Sequence, residues 1–409
     1  MTSDLERKLQ GGLDEATLTQ LLARLVQAPS VSGEEAPAVH VLANCLSDAG
    51  IAVTVEEVTP GRPNLVAQVG TGEGPILLLT GHSDTVPIGD GWTKDPFGAE
   101  IENGRLYGRG SCDMKAGLAG MALALVGLHR SGVKPKGTVI FAACVDEEVN
   151  GIGTQAAIKA GLAADWAVIG EPTDLQAIRA CKGNAYFEVE VTGKAAHAGS
   201  PERGINAIYG AAEAVIAAQR HIGELAAKRH ELLGKPTLTV STINGGFAQS
   251  AVPDKCTLWV DRRLIPGESG AAALAEFDSA IRRHGHPPAG CEHRSHLRME
   301  LPPSEVPERH PLVAALTAAA RENGAPHLPV GGWTAASDGG YLMRDAKIPT
   351  VLFGPGSILN QAHRPDEFVP LNETVVATRT YMTLAARAFD GSMAAHLNKL
   401  EETAHAAAL

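Results

Sequence analysis

Two uninterrupted apolar runs, Ile76–Thr80 and Thr138–Val145, flank an Ala/Leu-rich stretch of helical length at Lys115–Arg130, and together they narrow the fold to an α/β class. Runs this short and apolar suit strands buried on both faces, as in a parallel sheet. Trp166–Ile169 and Thr350–Phe353 repeat the pattern. An early helix is expected from the spacing of Leu18, Leu21, Leu22, Leu25 and Val26, with Pro29 ending it. The reading is a mixed, largely parallel sheet flanked by helices.

The character changes near Lys182. Tyr186–Thr192 alternates over most of its length, as a half-solvated strand does. A helix over about 206–233 and strands at Leu238–Ile243 and Cys256–Asp261 then describe an inserted α+β domain. The Pro- and charge-rich stretch Pro287–Pro307 reads as a return linker, and helical Leu312–Asn323 as the first domain resuming. The expected division is 1–182 with 297–409, interrupted by an insert at 183–296.

A net charge of −11 over 409 residues, with no basic run, argues against a nucleic-acid partner. The longest apolar stretch, Ala116–Leu128, is broken by glycines and falls short of the ~20 residues that span a bilayer. The polar, acidic N-terminus is unlike a signal peptide, so a cytoplasmic location is expected. Six scattered cysteines without a CxxC pair read as reduced, mostly buried thiols.

Chemistry-bearing residues gather where the strands end. Ile76–Thr80 runs into Gly81-His82-Ser83-Asp84, Thr138–Val145 into Asp146-Glu147-Glu148, and Trp166–Ile169 into Gly170-Glu171. The late strand is followed by Gly354-Pro-Gly and then His363, while Asp113 lies in the glycine-rich loop Gly108–Lys115. Open α/β sheets collect ligands at the carboxyl ends of their strands. Histidines and carboxylates delivered there would build a nitrogen/oxygen metal site, and one carboxylate can bridge two ions. Each motif alone has an ordinary explanation, a hydrogen-bonded histidine or a solvated acidic turn; their joint placement points to a site. Cys291-Glu-His293-Arg-Ser-His296 sits in charged surroundings without a second ligand pair, so a structural metal is not expected there. Cys112 lacks a neighbouring base and is not read as a nucleophile.

At these residues the chain resembles the M20 metallopeptidases, a family that includes acetylornithine deacetylase, succinyl-diaminopimelate desuccinylase, aminoacylase and glutamate carboxypeptidase. The resemblance rests on Gly81–Pro87, Trp92 with Asp95-Pro-Phe97, Leu106–Gly117, Asp146-Glu-Glu148, Gly170–Thr173, Gly193–Gly199 and Ala362–Glu367, in order and nearly end to end. It implies two divalent ions, zinc first and cobalt or manganese as alternatives. His82 and Glu171 would hold one, Glu148 and His363 the other, and Asp113 would bridge them. Asp84 would orient His82, and Glu147 would serve as general base in hydrolysis of an N-acyl amino acid. The insert would be the family's lid or dimerisation domain, with His197 reaching the partner's active site in a homodimer to stabilise an oxyanion. Arg263 would bind a free substrate carboxylate, unless it pairs with Asp261 or Glu268. Ser250 stands where many relatives have Asn, which changes an expected substrate contact. Glu171, rather than Asp, resembles the deacylase and carboxypeptidase branches. A dipeptidase or carboxypeptidase is the runner-up, and a non-catalytic metal-binding relative a more distant alternative.

Overall fold

A computed structural model describes residues 3–71 and 74–393 of the chain. Two compact units emerge, one of residues 1–179, 305–331 and 341–409, the other of 180–304 and 332–340. In the first, the strands Ile76–His82 and Thr138–Cys144 pair in parallel, from Ile76 opposite Thr138 to His82 opposite Cys144. Trp166–Ile169 joins the other side of Ile76–His82 in parallel, and Thr350–Leu352 adds to it, again parallel. The hairpin Val53–Thr59/Arg62–Gly70 extends the sheet antiparallel beyond Thr138–Cys144. Four parallel strands thus end at one edge, with antiparallel pairing outside them. All seven residues of Thr138–Cys144 are buried, which is why that run carries no polar alternation.

The helix Ala116–Ser131 lies inside this unit. By length and composition the segment Ser111–Ser131 could cross a bilayer, yet 94% of its most apolar window is buried within the chain. Its glycines are contact points. A Cβ on Gly117 would lie 2.3 Å from the Gly170 carbonyl oxygen, and one on Gly120 2.5 Å from the Thr378 hydroxyl of the helix Leu371–Phe389. The helix can therefore approach the strand end that carries Glu171 only without a side chain at Gly117, and the helix Leu371–Phe389 only without one at Gly120.

The second unit is a four-stranded antiparallel sheet in the order Thr237–Gly245, Lys255–Leu264, Gly183–Thr192, Glu292–Leu301. Ala185, Phe187, Val189 and Val191 alternate onto one face and pack with Ala211, Ala214 and Ala218 of the helix Ala207–Leu225 and Phe277 and Ile281 of the helix Gly270–His284.

The structure amends the sequence reading in two places. The stretch expected as a return linker contains a ten-residue strand, and the unit continues to Ser304 and takes in 332–340. The charges there belong to a half-solvated strand: His296 stands opposite Glu188 and Arg294 opposite Glu190, and Arg298 Nε donates to Glu188 at 2.6 Å. The helix capped by Asn206 ends at Leu225, where its buried stripe stops, instead of near Leu233. His230 then accepts the amides of Leu232 and Leu233 in a separate turn.

Candidate metal centre

Every residue expected to hold a metal lies in the first unit, and the fold brings all five together. His82 closes its strand, and its Nε2 lies 3.1 Å from Asp113 Oδ1 and 3.9 Å from Glu171 Oε2. The other oxygen of Asp113 lies 3.1 Å from His363 Nε2, which in turn lies 3.0 Å from Glu148 Oε1. Two groups of potential ligands result, His82/Asp113/Glu171 and Asp113/Glu148/His363, each with its ligand atoms within 4.8 Å of one another. Asp113 is common to both. The first group is buried, whereas the His363 side chain is 44% exposed, so the second opens to solvent.

Burial and mutual contact set the protonation of these groups. Burial pushes the Glu171 and Glu148 carboxyls up, Glu171 well above the usual range. Burial alone would also raise Asp113, but hydrogen bonds from His363 and His82 outweigh it and hold the group low. Burial would depress the His82 imidazole, yet its bonds to Asp113 and Asp84 lift it well above normal. His363 is raised to about 10 by its bonds to Asp113 and Glu148. Protons thus hold the carboxylates and imidazoles together. Three carboxyls, two of them buried, and two imidazoles with no thiolate are a donor set for borderline divalent cations, which would displace those protons.

Asp84 departs in part from expectation. The Nδ1–H of His82 lies 2.9 Å from the main-chain oxygen of Asp84 and 3.5 Å from its carboxylate. That carboxylate accepts the backbone N–H groups of Glu147 at 3.1 Å and Glu148 at 3.2 Å, and the Ser32 hydroxyl at 2.7 Å. It therefore ties the strand end bearing His82 to the turn bearing Glu147 and Glu148. Asp146, left-handed at φ 71°, opens that turn, and Arg62 holds it at 2.5 Å while also pairing with Glu35. Ser32, Arg62 and Glu35 had no signal in the sequence, because their partners are distant along the chain. Cys112 is buried with its thiol pushed up by that burial, which fits no nucleophilic role.

His197, Ser250 and Arg263 belong to the second unit. Ala196–His197 pairs with Ala251–Val252 in a short ribbon, where the Ala198 amide donates to the Ser250 carbonyl at 2.8 Å. Nδ1 of His197 accepts the Gly199 amide at 3.0 Å, so the neutral ring carries its proton on Nε2, and the residue is exposed. Arg263 is already engaged: Nε and Nη2 donate to the two oxygens of Asp261 at 3.0 and 3.1 Å. This is the intrachain pairing the sequence offered as the alternative to substrate binding. Neighbouring Arg262 is buried against Glu268 at 2.7 Å.

A mixed sheet with a parallel centre and paired His/carboxylate groups gathered at the carboxyl edge of its strands is the architecture of a metal-dependent hydrolase. The model of peptidase family M20/M25/M40 matches residues 78–387, and the chain belongs to that family. It is 33% identical over 378 residues to an acetylornithine deacetylase of Proteus mirabilis, covering 87% of this chain and 92% of that one. An acetylornithine deacetylase of Salmonella typhimurium is 34% identical over 364 residues, covering 86% and 92%. The fold is shared with the aminopeptidase PepT of Bacillus cereus, with a TM-score of 0.72, 22% identity and coverage of 92% and 99%. It is also shared with an M20 family metallo-carboxypeptidase of Sulfolobus solfataricus, with a TM-score of 0.71, 19% identity and coverage of 91% and 100%. The chain is a hydrolase acting on amide bonds.

Proposed function

We propose that the protein is a dinuclear metal-dependent deacylase that releases the acyl group from an N-acyl amino acid. The observation that carries this reading is Asp113, whose two oxygens face two separate ligand groups. His82 and Glu171 would hold one divalent ion, zinc in the first instance, and Glu148 and His363 the other. When bound, the ions supply Lewis acidity toward the amide carbonyl and a lower pKa for water. Glu147 takes the proton of the attacking water and delivers it to the leaving amine. His197 of a second copy donates its Nε2–H to the developing oxyanion.

Two features support a homodimer built on the second unit. Among the described residues, Thr237–Gly245 is an edge strand with no strand paired to its outer side. Ile243 on it, Phe247 beyond it and Ile208 and Tyr209 on the adjoining helix are exposed apolar residues, and Ile208 lies against the strand end at Gly245. A second copy pairing along this edge would cover them.

The proposed substrate carries a free carboxylate beside the scissile nitrogen, and Arg263 would exchange Asp261 for it. A charge-assisted bidentate pair of this kind is worth about 1.5–3 kcal/mol, so an N-acetyl amino acid should exceed its methyl ester in kcat/KM by roughly 10–100-fold. Arg263→Ala should lose that preference. Equal use of acid and ester by the wild type contradicts the carboxylate requirement, and a preference kept in the variant makes Arg263 structural. Including a dipeptide in the same assays separates deacylase from dipeptidase: the deacylase reading expects the N-acetyl compound to be faster.

A further inference from the structure

Glu367 stands in neither ligand group, yet its side chain is 1% exposed and its two oxygens have separate partners. Oε1 accepts two successive backbone amides, Cys112 N at 3.0 Å and Asp113 N at 3.1 Å. Oε2 accepts Arg109 Nη1 at 2.6 Å, while Arg109 Nη2 donates to the carbonyls of Pro87 and Ile88. The main-chain oxygen of Glu367 accepts the Gly108 amide at 2.8 Å. One residue earlier, the Asp366 carboxylate accepts the Thr93 and Lys94 amides. His363 and Asp366 both adopt left-handed backbone, at φ 59° and 54°, a conformation that non-glycine residues keep only where their surroundings impose it. The segment from His363 to Glu367 is thus anchored at several points to the loop that carries Asp113.

The arrangement repeats the logic of Asp84. There, a buried carboxylate two residues after His82 takes the amides of Glu147 and Glu148; here, one four residues after His363 takes the amides of Cys112 and Asp113. A buried ion pair such as Glu367–Arg109 is weak grounds for stability by itself, since apolar residues of similar volume often serve as well. Its placement on the amide of Asp113 gives it a different use. We infer that Glu367, held by Arg109, is a positioning residue of the dinuclear centre: it fixes the carboxylate shared by both ions and the loop that supplies His363. The inference rests on the dinuclear reading of the site.

The test is Zn2+ titration of chelator-stripped wild type, Glu367→Ala, Glu367→Gln and Arg109→Met against a competing chelator, with circular dichroism to establish folding. Wild type should take up two equivalents. Folded Glu367→Ala should bind Zn2+ about 10–100-fold more weakly, the usual scale for losing a group that supports a ligand, and its kcat should change more than its KM. Glu367→Gln keeps an oxygen that can accept both amides, so it should recover part of the lost affinity. If Glu367→Ala does not fold, Arg109→Met asks the same question from the other end of the pair and should show roughly tenfold weaker binding. Wild-type Zn2+ affinity in the folded alanine variant, or in Arg109→Met where alanine fails to fold, overturns the inference. So does a glutamine variant no better than alanine. A wild type that takes up no Zn2+ overturns the dinuclear reading instead.

Discussion

Glu147→Ala is expected to retain both metal equivalents and lose about 10²–10⁴-fold in kcat, the scale of a missing general base. Glu147 belongs to neither ligand group, although it directly precedes Glu148, which does. Its backbone is fixed by the Asp84 carboxylate at 3.1 Å, and the preceding residue, Asp146, by Arg62. Truncating the side chain leaves those main-chain contacts and all five proposed ligands in place. Substrate affinity should therefore change little, and the loss should fall on kcat. Metal analysis beside the kinetics decides the assignment. Loss of one metal equivalent would make Glu147 a ligand rather than a base.

Mixing two inactive variants should restore activity if the active site is shared between subunits. His197→Ala alone should lose about 10²–10³-fold, as removal of an oxyanion donor does. In a mixed dimer with Glu147→Ala, one site combines an intact Glu147 with an intact His197 from the other chain, while the second site lacks both. Random exchange then gives up to about a quarter of wild-type activity, since half the dimers are mixed and each has one of two sites competent. The expectation comes from an exposed imidazole in the second unit whose Nδ1 is committed to the Gly199 amide, leaving Nε2–H to donate outward. Absence of recovery, with subunit exchange demonstrated by a tag on one variant, would rule out action in trans.

Three of the five proposed ligands were legible in the sequence because each lies just beyond an apolar run that reads as a buried strand, whereas Asp113, in a glycine-rich loop, and His363, eleven residues past its strand, were assigned through the family resemblance. His82, Glu148 and Glu171 needed no long-range information beyond the placement of strand ends on one edge. The supporting residues were not legible for the opposite reason. Glu367 acts on backbone amides more than 250 positions away, and Arg62 on an aspartate 84 positions away. Backbone amides leave no mark in side-chain identity, so neither Glu367 nor the amide contacts of Asp84 could be read from spacing. Glu292–Leu301 was mistaken for a linker because its polar residues answer charges on Gly183–Thr192, a pairing visible only once the two strands are side by side. At Arg263 the sequence left two partners open, and the structure supplies Asp261.

Amide hydrolysis by this protein should require two divalent ions that share Asp113. The most direct test is to strip the protein with a chelator, titrate Zn2+ or Co2+ back, and follow hydrolysis of an N-acetyl amino acid beside the number of ions bound. Stripped protein should be inactive, activity should recover fully at two equivalents, and Asp113→Ala should lose both ions. Full activity in rigorously metal-free protein would contradict this requirement.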